Sequence, residues 1–464
     1  MKSRPGNDQK STTLSFLVDA ASVAADPELP YLLSFNGVEG ISVEQHVLLV
    51  ERSGQDSKAV LRADESLHVS LAPLNQFKRF AAEIAARPSC DFTADVVERA
   101  LSYAFLAARL DVDAVVSPAR PIFGVADSGL LDIGKLVTVN QALAIIGAHV
   151  RQRERVPLGG VPLMTQERTE VYPLTARVVI ERGQEWWSSC LAIASSPDAD
   201  LVSHGEAVFK RAGQALRGRD GVHEALRLRS GRAAILDALY HFDVVLASGV
   251  ASLDALARVA NEAFQKPSPI ENDVLKVGWQ KEAWRKKLAL MVPLVANVVD
   301  PKTPFGAALL VLTRLRNSLH SIPLDEYLQV TVGPQDLVEH RVMVPRDLAL
   351  RLRDVGGPLR PLDEFGIFVD EKGTSFVNVP QLTEHLLSWT IQIIGKLFSA
   401  MLSCSPFVPG IQVDFPPIEE HERELCAKLA RVGDYPSRTL SSGLPASPSI
   451  RRTVLGSIYA HLPK

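Results

Sequence analysis

Cysteine is scarce in this chain, with four in 464 residues. Cys90, Cys190, Cys404 and Cys426 form no Cys-x-x-Cys pair. That excludes a zinc ribbon and a disulfide framework and fits reduced thiols in a cytosolic protein. An excess of charge is lacking too: the formal net charge is -3 with 22% charged residues. No field over the whole chain draws in nucleic acid, so such a site would have to be local. No run approaches the roughly 18 uninterrupted apolar residues of a membrane span. The greasiest stretch, 386–402, is broken by Ser388, Gln392 and Lys396. Residues 1–13 are polar and lack the apolar core of a signal peptide. The expectation is a cytoplasmic protein with no membrane partner.

Other signatures are missing. The eleven histidines never fall at metal-ligand spacing, so no metal is expected. Leu158-Gly159-Gly160 and Val355-Gly356-Gly357-Pro358 match neither a Walker loop nor a dinucleotide fingerprint, and no cofactor is expected. No Gly-x-Ser-x-Gly nucleophile elbow occurs.

What is present is an α+β pattern too long for one core. Residues 1–26 read as a flexible tail and 27–200 as a mixed α/β module. Strand-like runs at 43–50 and 66–71 there precede helical periods such as Phe77, Phe80 and Ile84. Segment 169–193 reads as strand or helix, with Pro173 against either and Trp186-Trp187 as a hydrophobic lid. Residues 201–232 read as a basic linker or helix. A long-helix bundle is expected over 233–404, with β insertions at 327–380. In it, 233–264 is one long helix, or two if Gly249 breaks it. Pro293 kinks the next helix, and Thr303-Pro304 starts a third. A Pro/Ser-rich extension, 405–464, closes the chain with one short helix near 418–432.

The chemistry concentrates in Arg314-Leu315-Arg316-Asn317-Ser318-Leu319-His320. Histidine moves protons near neutrality, arginine grips phosphate, and Asn317 can orient either group. Together they suffice to direct a ribose 2′-hydroxyl onto its own phosphodiester without metal. Lys210, Arg211, Arg217, Arg219, Arg227, Arg229 and Arg232 suggest an RNA-facing stripe leading into the bundle; a solvated helix and loop is the commoner explanation of such a run. Asp111 and Asp113 sit where some nucleases place metal-binding acids, but turn chemistry accounts for both. Trp279 and Trp284 read as core packing.

The Arg-Asn-x-x-His segment, with long helices before and after it, resembles the HEPN superfamily of helical bundles. The resemblance covers roughly 233–403. It implies a metal-independent RNase whose site forms across a homodimer, acting in stress or defence, with His320, Arg316, Arg314 and Asn317 as site residues. Three residues separate Arg316 from His320, fewer than the family's usual spacing, whereas the five after Arg314 match it. Either Arg314 is the catalytic arginine or Arg-Asn-His is a structural network. The alternative is therefore a non-catalytic scaffold binding a protein partner.

Overall fold

The computed structural model describes residues 14–38, 40–53, 56–62, 68–70, 74–86, 92–109, 112–118, 136–153, 155–158, 164–167, 171–194, 200–228, 232–265, 277–319, 328–332, 338–343, 367–369 and 375–407. The fold is α+β.

The first part carries β1 (Leu14–Asp19), α1 (Ala20–Val23), α2 (Leu29–Leu33), β2 (Ile41–Ser53), β3 (Asp56–Arg62) and β4 (His68–Ser70). It continues through α3 (Leu74–Ala85), α4 (Ala94–Arg109), β5 (Ala114–Val116), β6 (Leu136–Val137) and α5 (Val139–Gln152), then the antiparallel pair β7 (Arg155–Leu158) and β8 (Met164–Glu167). Six strands form one sheet in the order β4-β3-β2-β1-β5-β6. The contacts β2-β1, β1-β5 and β5-β6 are parallel, and β3 and β4 extend the sheet antiparallel.

The flexible tail expected over 1–26 needs correction. Its residues 14–19 form β1, which lies between β2 and β5 with Leu14, Phe16, Leu17 and Val18 buried. A strand buried on both faces carries an uninterrupted apolar run and no alternation to announce it. Residues 1–13 lie outside the described ones.

The second part holds α6 (Val171–Val179), α7 (Gly183–Ile193), α8 (Asp200–Leu228), α9 (Arg232–Gln265), α10 (Glu282–Met291), α11 (Pro293–Val299) and α12 (Pro304–Leu319). Then come β9 (Leu328–Val332), β10 (Val338–Met343), β11 (Ile367–Val369) and β12 (Ser375–Asn378), an antiparallel sheet in the order β11-β12-β10-β9, and finally α13 (Val379–Leu402). The Asn378 side chain caps α13 by accepting from the Gln381 amide. The hairpin turn that Asp370-Glu371-Lys372-Gly373 predicts and the helix expected near 418–432 lie outside the described residues.

Long helices need close approach as well as apolar faces. Gly249 does not break α9; a Cβ there would stand 3.1 Å from the Thr390 hydroxyl of α13. At Gly213 of α8 it would stand 2.8 Å from the backbone of Tyr172 and Pro173 in α6. These glycines let α9 meet α13 and α8 meet α6. Pro293 separates two helices by occupying the first turn of α11. Trp279 and Trp284 are core residues, edge to face at 5.2 Å. Trp186 is no lid: it is fully buried and stacked on Phe398 at 4.1 Å.

Of the two readings of 201–232, linker or helix, the structure shows the helix. Nearly all of the segment is α8, whose Val208, Phe209, Ala212, Ala215 and Leu216 join the main core. Arg219 is buried with them. Its Nε donates to Glu384 of α13 at 2.6 Å and its Nη1 to Asp220 at 3.2 Å. The Tyr172 hydroxyl donates to Asp220 at 3.0 Å, and His223 Nε2 lies 2.8 Å from the same Glu384 oxygen. Burial pushes the Glu384 carboxyl up, but Arg219 and the hydrogen-bonded His223 more than reverse this and hold it down at about 2. The same carboxylates keep the Arg219 guanidinium above its ordinary value against the opposing effect of burial. α8 also holds the α/β part: the Glu224 carboxylate lies 3.2 Å from His149 Nδ1, and Arg217 donates to the Gln152 carbonyl at 2.9 Å.

Glu384 is more acidic folded than unfolded, so its stabilisation is complete above the ordinary value of 4.5 and fades as pH falls towards about 2. Glu384→Gln should cost about 3–5 kcal/mol near neutrality by leaving a buried guanidinium short of its partner. Urea unfolding at pH 7 and in acid checks both points. The variant should lose less of its remaining stability than wild type across the acid window.

Candidate functional site

The candidate site lies at the end of α12. The Thr303 hydroxyl starts this helix by accepting from the Gly306 amide at 3.1 Å, and Pro304 fits its first turn. Ala308, Leu309, Val311, Leu312 and Leu315 then form its buried stripe in the main core. Helical periodicity leaves Arg314 and Asn317, three apart, as neighbours on the exposed side. Arg316 stands on the other flank of Leu315, towards α9.

The two arginines are therefore not equivalent. Arg316 Nη2 lies 3.5 Å from Asp254 Oδ2 of α9, with side-chain exposures of 37% and 52%. A pair so long and so wet contributes at most about 1 kcal/mol. Loss of surrounding water raises the Asp254 carboxyl above its ordinary value, although Arg316 and Arg258 oppose the shift. Arg258 lies one turn along α9 and is exposed. Arg314 is exposed and makes no ion pair with any described residue. Cations at a helix C-terminus are also favoured by the helix dipole.

His320 follows α12 directly and lies outside the described residues, as does Arg229. Arg227 falls in the last turn of α8, and Arg232 opens α9. Of this basic set, the described members Arg227 and Arg232 stand at the C-terminal end of α8 and the N-terminal end of α9, not at the end of α12. Arg232 and Asp254 are about six turns apart along α9, roughly 33 Å. Arg316 contacts the far end of that helix.

A second arrangement escaped the sequence reading. Asp19 ends β1 and is fully buried. Arg99 of α4 donates to both its oxygens through Nε at 2.9 and 2.8 Å, and the Ser22 hydroxyl bonds to it as well. Buried Ser117 follows the neighbouring strand β5. This is the carboxyl edge of the parallel strands, where open α/β sheets receive ligands. The usable signal was an acid closing an apolar run, Leu14 to Asp19. Here the acid is neutralised by Arg99, so the geometry accounts for it structurally. Asp113, weighed as a metal-binding acid, accepts from the Ser15 amide at 2.8 Å and hydroxyl at 3.1 Å. Asp111 lies outside the described residues. Among the described residues, no group of three His, Cys, Asp or Glu could hold a metal ion, and no helix is long and apolar enough to cross a membrane.

Comparison of the chain with protein-family models, with curated proteins and with solved structures finds no match.

Arg314→Ala and Arg316→Ala should each change the unfolding free energy by about 1 kcal/mol or less, since neither guanidinium is buried. Arg219→Ala should cost several times as much. Urea denaturation of the three variants measures this, and a loss above about 2 kcal/mol at Arg314 or Arg316 would make that arginine structural.

Proposed function

We propose that the chain is an RNA-binding protein whose HEPN-like bundle cuts RNA without metal at the end of α12. The observation that carries this reading is the exposure of Arg314 and Asn317 beside a half-exposed Arg316. This contrasts with Arg219, whose guanidinium is taken up by buried carboxylates. Arg314, which folding does not consume, is available to an anion, and Arg316 is held only by a long, solvated pair with Asp254. A phosphodiester with its in-line 2′-hydroxyl suits the Arg, Asn and His types gathered in 314–320.

In this mechanism His320 takes the 2′-hydroxyl proton as the 2′ oxygen attacks phosphorus. Charge builds on the non-bridging oxygens, where Arg314 stabilises it. Asn317, its neighbour on the helix, positions the phosphate. The 5′ oxygen then leaves and receives a proton from the imidazolium, giving a 2′,3′-cyclic phosphate and a 5′-hydroxyl. Arg316, offset towards Asp254, contacts a flanking phosphate. Arg227, at the end of α8, and Arg232, at the start of α9, would meet a more distant part of a bound strand, and Arg229, between them in sequence, would serve the same stretch. By the resemblance, the site is completed in a homodimer working in the cytoplasm, within a stress or defence system.

A second reading has its own observation. The Arg316–Asp254 pair fits a bundle that serves as a scaffold for a protein partner, with Arg-Asn-His as a local structural network.

Cleavage of a mixed-sequence RNA in EDTA separates the two. Wild type should leave cyclic phosphate ends. His320→Ala should lower the rate by about 10²–10⁴ and Arg314→Ala by about 10²–10³, with folding intact. Asp254→Asn should tighten RNA binding by removing a competitor for Arg316. Absence of cleavage, with His320→Ala and Arg314→Ala unfolding more easily than wild type, would favour the scaffold.

A further inference from the structure

α10 and α11 turn one face inward through Trp284, Leu288, Val292, Val295 and Val299. Their outward face is apolar as well. Leu290 is 84% exposed, Leu294 48% and Met291 38%, and Pro293 is exposed between them. Water-facing leucines scattered singly need no explanation, but these are contiguous across a helix junction. Exposed Lys281, Lys286 and Lys287 border the patch, with Lys286 partly answered by Glu282 at 2.7 Å.

We infer that the outward face of α10 and α11 is the docking site for the chain's own segment 418–432. Three observations select this occupant. The first is delivery. Phe407, the last described residue, packs 5.5 Å from Phe264 in the final turn of α9. Three residues earlier on α9, Asn261 accepts from the Trp284 indole of α10 at 3.0 Å. The chain therefore departs beside α10. Eleven residues from Phe407 to Ile418 reach up to about 36 Å, more than the roughly 27 Å that α10 and α11 span together.

The second observation is pattern. Ile418, Leu425, Leu429 and Val432 recur at helical spacing and would form one apolar stripe. The third is charge. Glu419, Glu420, Glu422 and Glu424 outnumber Arg423 in the first half of the segment, and this acidic excess complements the lysines bordering the patch. A second copy of this face would instead bring lysine towards lysine about a two-fold axis. Tethering adds a high local concentration that a separate partner lacks. This inference is independent of the RNA reading.

The test uses the full-length chain carrying Leu290→Cys, a short bis-maleimide and peptide mapping, because Cys426 lies within the segment. Sedimentation velocity follows the mass in parallel. The expected result is a cross-link from position 290 to Cys426 within one chain. Adding Leu425→Asp/Leu429→Asp should weaken that link about tenfold or more. Position 290 left unlinked, or linked to its counterpart in a dimer, would overturn the inference. So would a link to Cys426 that persists in the aspartate variant, since tethering alone would then explain it. Leu290 is exposed and outside the buried core, so its substitution leaves the bundle folded, and sedimentation and urea unfolding of the aspartate variant check that the bundle stays intact.

Discussion

Arg219 sits on α8 where α6 and α13 close over it, and a guanidinium so enclosed has to be answered by charge within reach. Asp220 is its own neighbour on the helix, whereas Glu384 comes from α13, far along the chain. Tyr172 of α6 completes the set by donating to Asp220. Three helices are thereby tied to one rotational setting. The aliphatic core around them could tolerate small slips, but a displaced carboxylate would leave buried charge unpaired. Because α8 is fixed in this way, Glu224 and Arg217 on the same helix meet His149 and Gln152, which ties the α/β part to the bundle.

The same residue type does opposite things at two places. Arg219 is consumed by the fold, while Arg314 is left in water at the end of α12. The register of α12 is set by its Leu309, Leu312 and Leu315 stripe, and that register decides which arginine faces out and which leans towards Asp254. Packing far from the surface thus determines the presentation of the candidate site. The site's polarity is local, which suits a chain of net charge -3.

Much of the bundle was legible because long amphipathic helices announce themselves: α9, α12 and α13, and the strands at β9, β10, β11 and β12, follow from periodicity and turn residues. The buried roles of Trp279 and Trp284 followed from an otherwise aliphatic stripe. Strand β1 was hidden because six residues without alternation look like the end of a tail. Strand β3 was passed over because Arg52 to Asp56 read as a polar turn and no strand was expected between it and 66–71. For 201–232 a helix was one of two readings, but the burial of Arg219 was hidden because Arg219 in a core is indistinguishable, in sequence, from Arg217 on a surface; only Glu384, 165 residues away, makes the difference. Segment 169–193 was ambiguous because Pro173 argued against regular structure, yet that proline occupies the first turn of α6, where proline is tolerated. At the candidate site, the sequence left open which arginine matters; the structure shows Arg314 exposed and Arg316 leaning towards Asp254.

The central claim is that the end of α12 is the surface that meets RNA. Photo-cross-linking of full-length protein to a 4-thiouridine RNA, at about 0.1 M salt to suppress diffuse attraction, tests it directly when the modified peptides are mapped. The account predicts adducts in the peptide carrying Arg314 to His320 and in the facing part of α9 around Asp254 and Arg258. Adducts confined to the α/β part, or none, would contradict it.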